Sequence, residues 1–366
     1  MMWFLRPTSP ATLAALQLLA SAAQAQMSAP IADRPACVQC SITISPRTRF
    51  IPDHGTAPGT LARIIGWVGG GRYLIGTGGG GPPTALDSLG RSLGPLGRRG
   101  SGPGEFQSAV AFATGPEDSL AIADPANGRV HIVDRALRVT RSWTIPQNVV
   151  TGGIIWIPGQ SILAISGLRA TPVEVGYSVH LYSTTGSHLA SLGEHREGPT
   201  RTASPLESAR LLALAPDGTL LTVTTTGSYR LQKWDLVTRR LLREWTREAP
   251  WFERSVRMFR PRVLSAVFDD RGLLWTLVAV LADDWEKGVR PRVIGGVERS
   301  FEILDRELVL DSVVEAIDLE KGEVVARLRT PRLYAALLPG GRLAAESDDP
   351  RAGPGFDLFQ VGLREP

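Results

Sequence analysis

Residues 97–134 read GRRGSGPGEFQSAVAFATGPEDSLAIADPANGRVHIVD, and their pattern decides the fold class. Gly102, Pro103 and Gly104 predict a tight surface turn, because proline restricts φ and glycine tolerates positive φ. Short apolar and β-branched runs follow, separated by the turn sequences Gly-Pro-Glu-Asp and Pro-Ala-Asn-Gly. Asn127-Gly128 predicts a type I′ hairpin turn, in which both residues have positive φ. The stretch therefore predicts an antiparallel β-meander.

Several pieces of this stretch together resemble one NHL repeat, the blade unit of a family of six-bladed β-propellers. The pieces are residues 102–106 (Gly-Pro-Gly-Glu-Phe), Leu120–Asp124, Asn127, Arg129-Val130 and Val133-Asp134. Gly128 occupies the position at which the family usually has a histidine, and no other part of the chain repeats the whole motif. The resemblance implies a six-bladed propeller in a bacterial, exported protein.

The composition of the whole chain agrees with an all-β protein. Its 366 residues include 39 Gly and 27 Pro, with 43% hydrophobic and 21% charged residues. This supplies a core and many turns, as short strands require, and argues against disorder. The pair Leu96-Gly97 recurs as Leu192-Gly193 with similar surroundings, an offset of about two blades of roughly 45 to 50 residues each. We therefore predict one domain.

Strand and turn patterns divide the chain into six units, which begin near residues 61, 110, 154, 211, 263 and 334. The sixth unit has only three predicted strands, whereas the predicted strand at residues 42–50 belongs to no unit. Pairing that strand with the sixth unit closes the ring and removes exposed sheet edges. We therefore predict a six-bladed β-propeller of four-stranded antiparallel blades over residues 42–366, closed by the N-terminal strand.

Residues 1–25 predict a secretory signal peptide. Arg6 precedes an apolar segment at residues 11–23, and Ala23-Gln24-Ala25 is a small-x-small cleavage site. The segment is too short to span a bilayer, and an uncleaved anchor is the alternative. No later stretch of 18 apolar residues follows. We predict a periplasmic or secreted protein without a transmembrane segment, cleaved near Ala25.

Residues 26–41 form an N-terminal segment with a Cys-x-x-Cys motif, Cys37 and Cys40. Export into an oxidising compartment favours a short-loop structural disulfide between them. Free thiols and a redox site are the alternatives. A c-type haem site would need histidine in place of Ser41, and a zinc site would need two more ligands nearby.

The charge balance does not indicate a nucleic-acid partner. Lys and Arg total 40 against 36 Asp and Glu, a formal charge of +4 that becomes +3 without Arg6. The five histidines have no metal-ligand spacing, although His180 and His188 could converge in a folded ring, with simple packing as the alternative. No catalytic motif stands in the right context, so the catalytic residues are unknown and no metal ligand is assigned.

Three acid pairs could bind calcium or act as acid and base. They are Asp269-Asp270, Asp283-Asp284 and Asp348-Asp349. Acidic pairs in turn sequences are more typical of solvated turn residues, and we favour that interpretation.

Two irregular segments interrupt the repeat. The segment at residues 247–262 combines aromatic residues with arginines, and its candidate binding residues are Trp251, Phe252, Arg254, Arg257, Arg260 and Arg262. Arginine with aromatic residues is typical of binding hot spots, whereas packing beneath the loop is the alternative. The insertion between Ala282 and Ser312 predicts one short amphipathic helix from the spacing of its apolar residues Phe301, Leu304 and Leu308. Long insertions on a repeat scaffold commonly carry the function.

The function hypothesis is a monomeric, exported binding or scaffold protein without a cofactor. It would recognise a peptide, glycan or protein partner through loops at one mouth of the ring. The alternative rests on resemblance to six-bladed lactonase-like hydrolases and amidating lyases, which implies a divalent cation such as calcium on the axis. The chain has no set of Glu, Asn, Asp or His residues that matches those families' motifs. A redox protein using Cys37 and Cys40 is a third hypothesis.

Overall fold

Six antiparallel sheets of four strands follow one another around a ring in the computed structural model. The structure describes residues 28–50, 62–68, 71–77, 80–145, 150–167, 177–194, 209–256, 259–294, 297–349 and 353–366. The first strand of each sheet contacts the first strand of the next sheet, and the sixth contacts the first. Each sheet is therefore one blade with its first strand innermost. The predicted six-bladed β-propeller is confirmed.

Blades 1 to 3 keep chain order from the innermost strand to the outermost one. Blade 1 contains β3 (Ala62–Val68), β4 (Arg72–Thr77), β5 (Thr84–Leu86) and β6 (Ser92–Pro95). Two short strands, β7 (Arg98–Arg99) and β8 (Glu105–Phe106), pair in parallel in the connection to the next blade. Blade 2 contains β9 (Ala111–Thr114), β10 (Leu120–Asp124), β11 (Arg129–Val133) and β12 (Val139–Thr144). Blade 3 contains β13 (Val150–Ile157), β14 (Ile162–Gly167), β15 (Tyr177–Ser183) and β16 (His188–Glu194).

Blades 4 and 5 carry the additions to the repeat. Blade 4 contains β17 (Arg210–Leu214), β18 (Leu220–Thr224), β19 (Arg230–Trp234) and β20 (Leu241–Arg247), and helix α1 (Pro250–Glu253) follows it. Blade 5 contains β21 (Arg262–Phe268), β22 (Leu274–Leu281), β25 (Leu310–Asp318) and β26 (Glu323–Thr330). Its insertion contains a 3-10 helix (Trp285–Gly288), the hairpin of β23 (Val289–Ile294) and β24 (Val297–Ile303), and helix α2 (Arg306–Val309).

Blade 6 joins the two ends of the chain. It contains β27 (Ala336–Leu338), β28 (Arg342–Asp349) and β29 (Gly353–Arg364), with β2 (Ser41–Phe50) outermost. β2 pairs antiparallel with β29 from Ser41 opposite Arg364 to Phe50 opposite Phe356. The predicted closure by the N-terminal strand is therefore confirmed.

The core lies between the blades. Six hydrophobic clusters of the described residues correspond to the six blade interfaces. β10 shows why: Leu120 and Ile122 pack toward blade 1, whereas Ala121 and Ala123 pack toward blade 3. Successive side chains of a strand point to opposite faces, so a middle strand is apolar on both. Burial of each large side chain stabilises the fold by about 1.5–3 kcal/mol.

An N-terminal strand, β1 (Ser28–Ile31), extends blade 4 and was not predicted from the sequence. It pairs in parallel with the outer strand β20, from Ser28 opposite Glu244 to Ile31 opposite Arg247. Ile31 is buried in the cluster between blades 4 and 5. Further along, the Ala36 N–H donates to the Val324 carbonyl of β26 (2.8 Å). The segment before β2 therefore lies against the outer edges of blades 4 and 5.

The turn at Asn127-Gly128 differs from the type I′ prediction, which is wrong. Gly128 has φ of 59°, whereas Asn127 is not among the described residues with positive φ. The loop has four residues, because Asp124 pairs with Arg129 across the hairpin. Asn127 instead uses its side chain, since Nδ2 donates to the Gly100 carbonyl (2.9 Å) and to Asp124 Oδ2 (2.9 Å). Competing side-chain hydrogen bonds thus select the longer turn.

The amphipathic helix predicted across Phe301, Leu304 and Leu308 is also wrong. Phe301 lies on β24, and only Arg306–Val309 is helical. Leu304 and Leu308 are exposed rather than packed. The overlooked signal was Gly295-Gly296 between two β-branched runs, a hairpin pattern.

The structural disulfide between Cys37 and Cys40 is confirmed, with Cα atoms 5.3 Å apart. Both cysteines are partly buried just before β2. In the described part of the chain, no helix combines the length and apolar character that crossing a membrane requires.

Candidate functional site

The stretch that decides the fold has an architectural role in blade 2. The buried Asp124 carboxylate accepts the N–H groups of Gln107 and Ser108, each at 2.9 Å. Burial alone would raise the pKa of Asp124, but the nearby His131 ring, with Nε2 3.9 Å from Oδ2, and the hydrogen bonds from these backbone groups lower it. Glu105 accepts the Gly102 N–H (2.7 Å) in the preceding loop. These carboxylates tie the blade connection to the β10–β11 turn.

The glycines of this stretch make room for Glu105. A Cβ atom at Gly100 would overlap the Glu105 carboxylate, and one at Gly102 would come within 2.9 Å of its Oε2. Arg98 pairs with the same carboxylate (2.6 Å) from β7. The Gly-x-Gly-x-Gly-Glu pattern therefore maintains a folded loop in which Glu105 is fully used in bonding.

The histidines on strands occupy equivalent positions in two blades. His131 Nδ1 bonds Ser142 Oγ (2.8 Å) in blade 2, and His180 Nδ1 bonds Ser191 Oγ (2.7 Å) in blade 3. His188 also reaches Ser191 Oγ (3.0 Å), with its ring 6.1 Å from that of His180. His180 and His188 therefore lie close together, as the sequence analysis allowed. Since His131 and His180 are buried, they are packed cross-strand pairs rather than an open site.

The two irregular segments lie at the same end of the ring. Adjacent strands alternate in direction, so the connections between blades and those between each blade's second and third strands share one end. We call this the long-loop end. The segment at residues 248–261 connects blades 4 and 5, and the insertion at residues 282–309 connects β22 to β25. Arg254 bonds Asp283 (2.8 Å) between them.

An aromatic cluster joins these segments. The Trp285 ring lies 5.9 Å from Phe259 and 5.4 Å from Phe301, in tilted and edge-on orientations. Val309 is fully buried beside them. A Cβ at Gly288 would lie 2.7 Å from the Asp305 carbonyl oxygen, so helix α2 packs closely on the 3-10 turn. The hairpin and helix α2 therefore pack on a small hydrophobic core of their own.

Three aliphatic side chains are exposed on the surface of this insertion. Ile303, Leu304 and Leu308 are 43%, 51% and 46% exposed, within six residues of one another. We call them the insertion patch. Charged residues adjoin it along the chain: Glu302 lies 3.7 Å from Arg290, and Arg306 lies 3.7 Å from Glu346 of blade 6. An apolar centre with a charged rim is typical of a protein-binding surface.

The predicted aromatic and arginine residues divide into two groups. Phe252 is buried in the core between blades 4 and 5, and half-buried Trp251 donates from Nε1 to Asp33 Oδ1 (2.9 Å). Their side chains therefore pack, the alternative that the sequence had left open. Arg254 and Arg260 are exposed, whereas Arg257 lies outside the described residues.

Arg262 begins the innermost strand of blade 5, and Arg210 begins that of blade 4. Both therefore lie at the long-loop end beside the central channel. Burial lowers the pKa of Arg210 to about 10, with a smaller effect from Arg230, and burial also lowers the pKa of Arg262. Arg262 is nonetheless partly open to solvent, as a residue at a channel mouth would be.

A buried charge network beneath Trp251 was missed from the sequence. Arg247 Nη2 bonds Glu315 Oε1 (2.7 Å) and Asp33 Oδ1 (2.8 Å), and Arg327 also bonds Asp33. The side chains of Arg247 and Glu315 are fully buried. Burial raises the pKa of Glu315 despite the Arg247 charge. Burial would raise that of Asp33 too, but hydrogen bonds from Trp251 and Arg247 and the charge of Arg327 lower it. No local pattern relates these residues, which lie on four separate segments.

The acid pairs whose side chains the structure describes accept hydrogen bonds in turns or form ion pairs. Asp269 Oδ1 accepts the N–H groups of Arg271 (3.0 Å) and Leu273 (2.9 Å) in the β21–β22 turn. Asp283 pairs with Arg254, and Asp284 with Lys287. The side chains of Asp348 and Asp349 lie outside the described residues. Within the part of the chain that the structure describes, no three His, Cys, Asp or Glu residues are grouped as a metal site would need.

Two of the solved structures with a similar fold come from Bacteroides species. A Bacteroides fragilis protein whose name marks it as exported has a TM-score of 0.54 at 10% identity, covering 93% of this chain and 99% of its own. A member of the DUF4221 family from Bacteroides vulgatus has a TM-score of 0.58 at 9% identity, covering 88% and 99%. At these identities the likeness extends to the fold alone. No protein-family model and no curated protein matches the sequence.

Proposed function

We propose that this chain is an exported binding protein that holds a protein or peptide partner at the long-loop end of its propeller. The observation that carries the proposal is the insertion patch, three exposed aliphatic side chains on a hairpin and helix that have their own core. Large exposed aliphatic groups lose contact with water when a partner covers them, which supplies binding free energy. An aliphatic patch favours a protein surface over a glycan.

The charged rim would provide specificity. Arg290, Glu302 and Arg306 are the exposed members of its ion pairs, and such pairs contribute little to stability. A partner with complementary charges can engage them at small cost, and such contacts mainly affect association rate and partner choice. The buried aromatic cluster beneath keeps the patch in place, so little conformational entropy is lost on binding.

Export belongs to the same proposal. Cleavage after Ala25 leaves two residues before β1, so the strand that covers blade 4 stays with the mature chain. N-terminal sequencing of the exported chain tests this, with Gln26 as the expected first residue.

The double variant Leu304→Asp, Leu308→Asp tests the binding site. The mature protein is immobilised, partners from the extracytoplasmic fraction are captured, and the dominant partner is then purified for direct titration. Two buried charges in the interface should weaken its affinity at least about tenfold. The matched control is Leu89→Asp, an equally large exposed leucine (67%) in the β5–β6 turn at the opposite end of the ring.

A partner that loses affinity for the double variant and keeps it for the control supports the proposal. Equal affinity for the two variants would place the site elsewhere. Unfolding curves of both variants exclude loss of the fold as the cause.

A further inference from the structure

The outer edge of blade 2 is open, unlike that of blade 4. β12 is the last strand of its sheet, and no described strand pairs with its outer side. A groove of about 520 Å³ runs beside it, between β12 (residues 139–144) and the loop residues Pro103 and Gly104. An unpaired edge presents a row of free backbone N–H and C=O groups that another strand can join.

Blade 4 shows how this propeller accepts such a strand. The extended residues Ser28–Ile31 form β1, a fifth strand beside the outer strand β20. Three of the other outer edges are obstructed in the described structure. β6 ends in Gly94-Pro95, β2 contains Pro46 with a register shift, and Val324 of β26 already accepts the Ala36 N–H. Proline obstructs strand addition because it has no N–H to donate. β12 contains neither proline nor glycine, has the groove beside it, and shifts register against β11 only at Thr140, near its start.

The charge of the groove selects the occupant. Its lining residues include Arg129 and Arg141 and no acid. Arg129 is held in place, because its Nη1 donates to the carbonyls of Ser101 (2.8 Å) and Gly102 (3.0 Å), and Arg141 is exposed. Acids in the adjoining loops are already paired, Glu105 with Arg98 and Asp134 with Arg138. The positive charge therefore faces the groove uncompensated by its lining.

We propose that the outer edge of blade 2 binds an acidic peptide in extended conformation, which adds to β12 as a fifth strand. Backbone hydrogen bonds to β12 provide affinity, as in other cases of strand addition, and alternate side chains provide specificity. Carboxylates of the peptide pair with Arg141, which shares one face of the blade with Trp143, whereas the apolar residues that alternate with them contact Val139 on the opposite face. This site is separate from the insertion patch, and the two blades that carry them lie on opposite sides of the ring.

The test uses the full mature chain and a synthetic seven-residue peptide of alternating valine and glutamate, with lysine replacing glutamate in the control peptide. Amide hydrogen exchange should slow at residues 139–144 when the acidic peptide is added. Arg141→Glu should weaken its binding at least tenfold, and Arg141→Gln by a smaller factor. The matched control is Arg243→Glu on β20, the strand that β1 joins from Glu244 onward; it should leave binding unchanged.

Several results would overturn the proposal. These are equal binding of the lysine peptide, unchanged binding by Arg141→Glu, or slowed exchange at another segment. A sulfated polysaccharide that binds without slowing exchange in β12 would assign the groove to polyanions in general and would also overturn it. The variant Leu304→Asp, Leu308→Asp should bind the peptide normally, so failure here is distinguishable from failure of the partner site.

Discussion

The outer edges of blades 2 and 4 are built from strands of similar length, yet one is open and the other covered. β12 has six residues and faces a groove with two arginines, whereas β20 has seven and is joined by β1. The arginine at the end of β20, Arg247, is fully buried between Asp33 and Glu315. Burial of a charge is tolerated only when it is paired and hydrogen-bonded. The covered edge should therefore tolerate substitution poorly, and the open edge well.

The largest difference is expected for the arginines themselves. Arg247→Leu leaves Glu315 buried without its cation, and we expect a loss of about 3–5 kcal/mol in the free energy of unfolding. Arg141→Leu on β12 should change it by at most about 0.5 kcal/mol. Urea unfolding of both variants measures this.

A second substitution separates the lost ion pair from a packing defect. Adding Glu315→Leu to Arg247→Leu removes the unpaired charge and should recover part of the loss. Equal stability of Arg247→Leu and Arg141→Leu would mean that the buried network does not stabilise the covered edge.

A smaller effect is expected from the apolar contact of the covering strand. Ile31 is fully buried, so Ile31→Ala should cost about 2–4 kcal/mol through lost burial and the cavity left behind. Amide exchange in β20 should also accelerate, because β1 would detach more often. Leu242→Ala is the control on β20 itself, since Leu242 is 45% exposed and should matter little. Unchanged exchange in β20 would show that β1 does not protect that edge.

The smallest effect is expected at the charged end of the covering segment. Asp33→Asn keeps the shape but weakens the bonds from Arg247, Trp251 and Arg327, at a cost of about 1 kcal/mol near neutral pH. The folded state lowers the pKa of Asp33. Its contribution is therefore present above the unfolded pKa of about 4 and lost as pH falls through the lower folded value.

Wild-type protein should consequently lose more stability than Asp33→Asn as the pH falls from about 5 to about 2. Unfolding free energies measured across this range test the sign. Asp270→Asn, at an exposed turn position, is the control and should follow the wild-type profile. If the stability of Asp33→Asn fell with pH in parallel with that of the wild-type protein, Asp33 would not contribute to the loss of stability in acid.

The two irregular segments show how far sequence patterns reach toward the candidate site. Aromatic residues with arginines identified residues 247–262, and the interrupted repeat identified the insertion. Which side chains are exposed did not follow: Phe252 is in the core, whereas Leu304 and Leu308 are at the surface. The spacing of Phe301, Leu304 and Leu308 fits a helix, but it also fits a strand followed by a turn. Gly295-Gly296 would have favoured the hairpin.

The sequence by itself determined the blades, their number and the closure of the ring. Strand periodicity depends on residues two apart, and turns depend on Gly, Pro, Asn and Asp at adjacent positions, so both are visible locally. The predicted strand at residues 42–50 belonged to no unit, and only the sixth unit lacked a fourth strand, so the closure of the ring could be predicted.

Only the tertiary structure decided what occupies each outer edge. β1 pairs Ser28 with Glu244, and Asp33 meets Arg247 and Arg327 from a distant part of the chain. Such contacts depend on where the ring places segments that are far apart in sequence. A four-residue segment such as Ser-Ala-Pro-Ile contains no pattern that indicates which strand it will pair with. The same reason applies to the open edge of β12, because whether another strand lies beside an edge depends on the tertiary structure and not on the sequence of the edge strand.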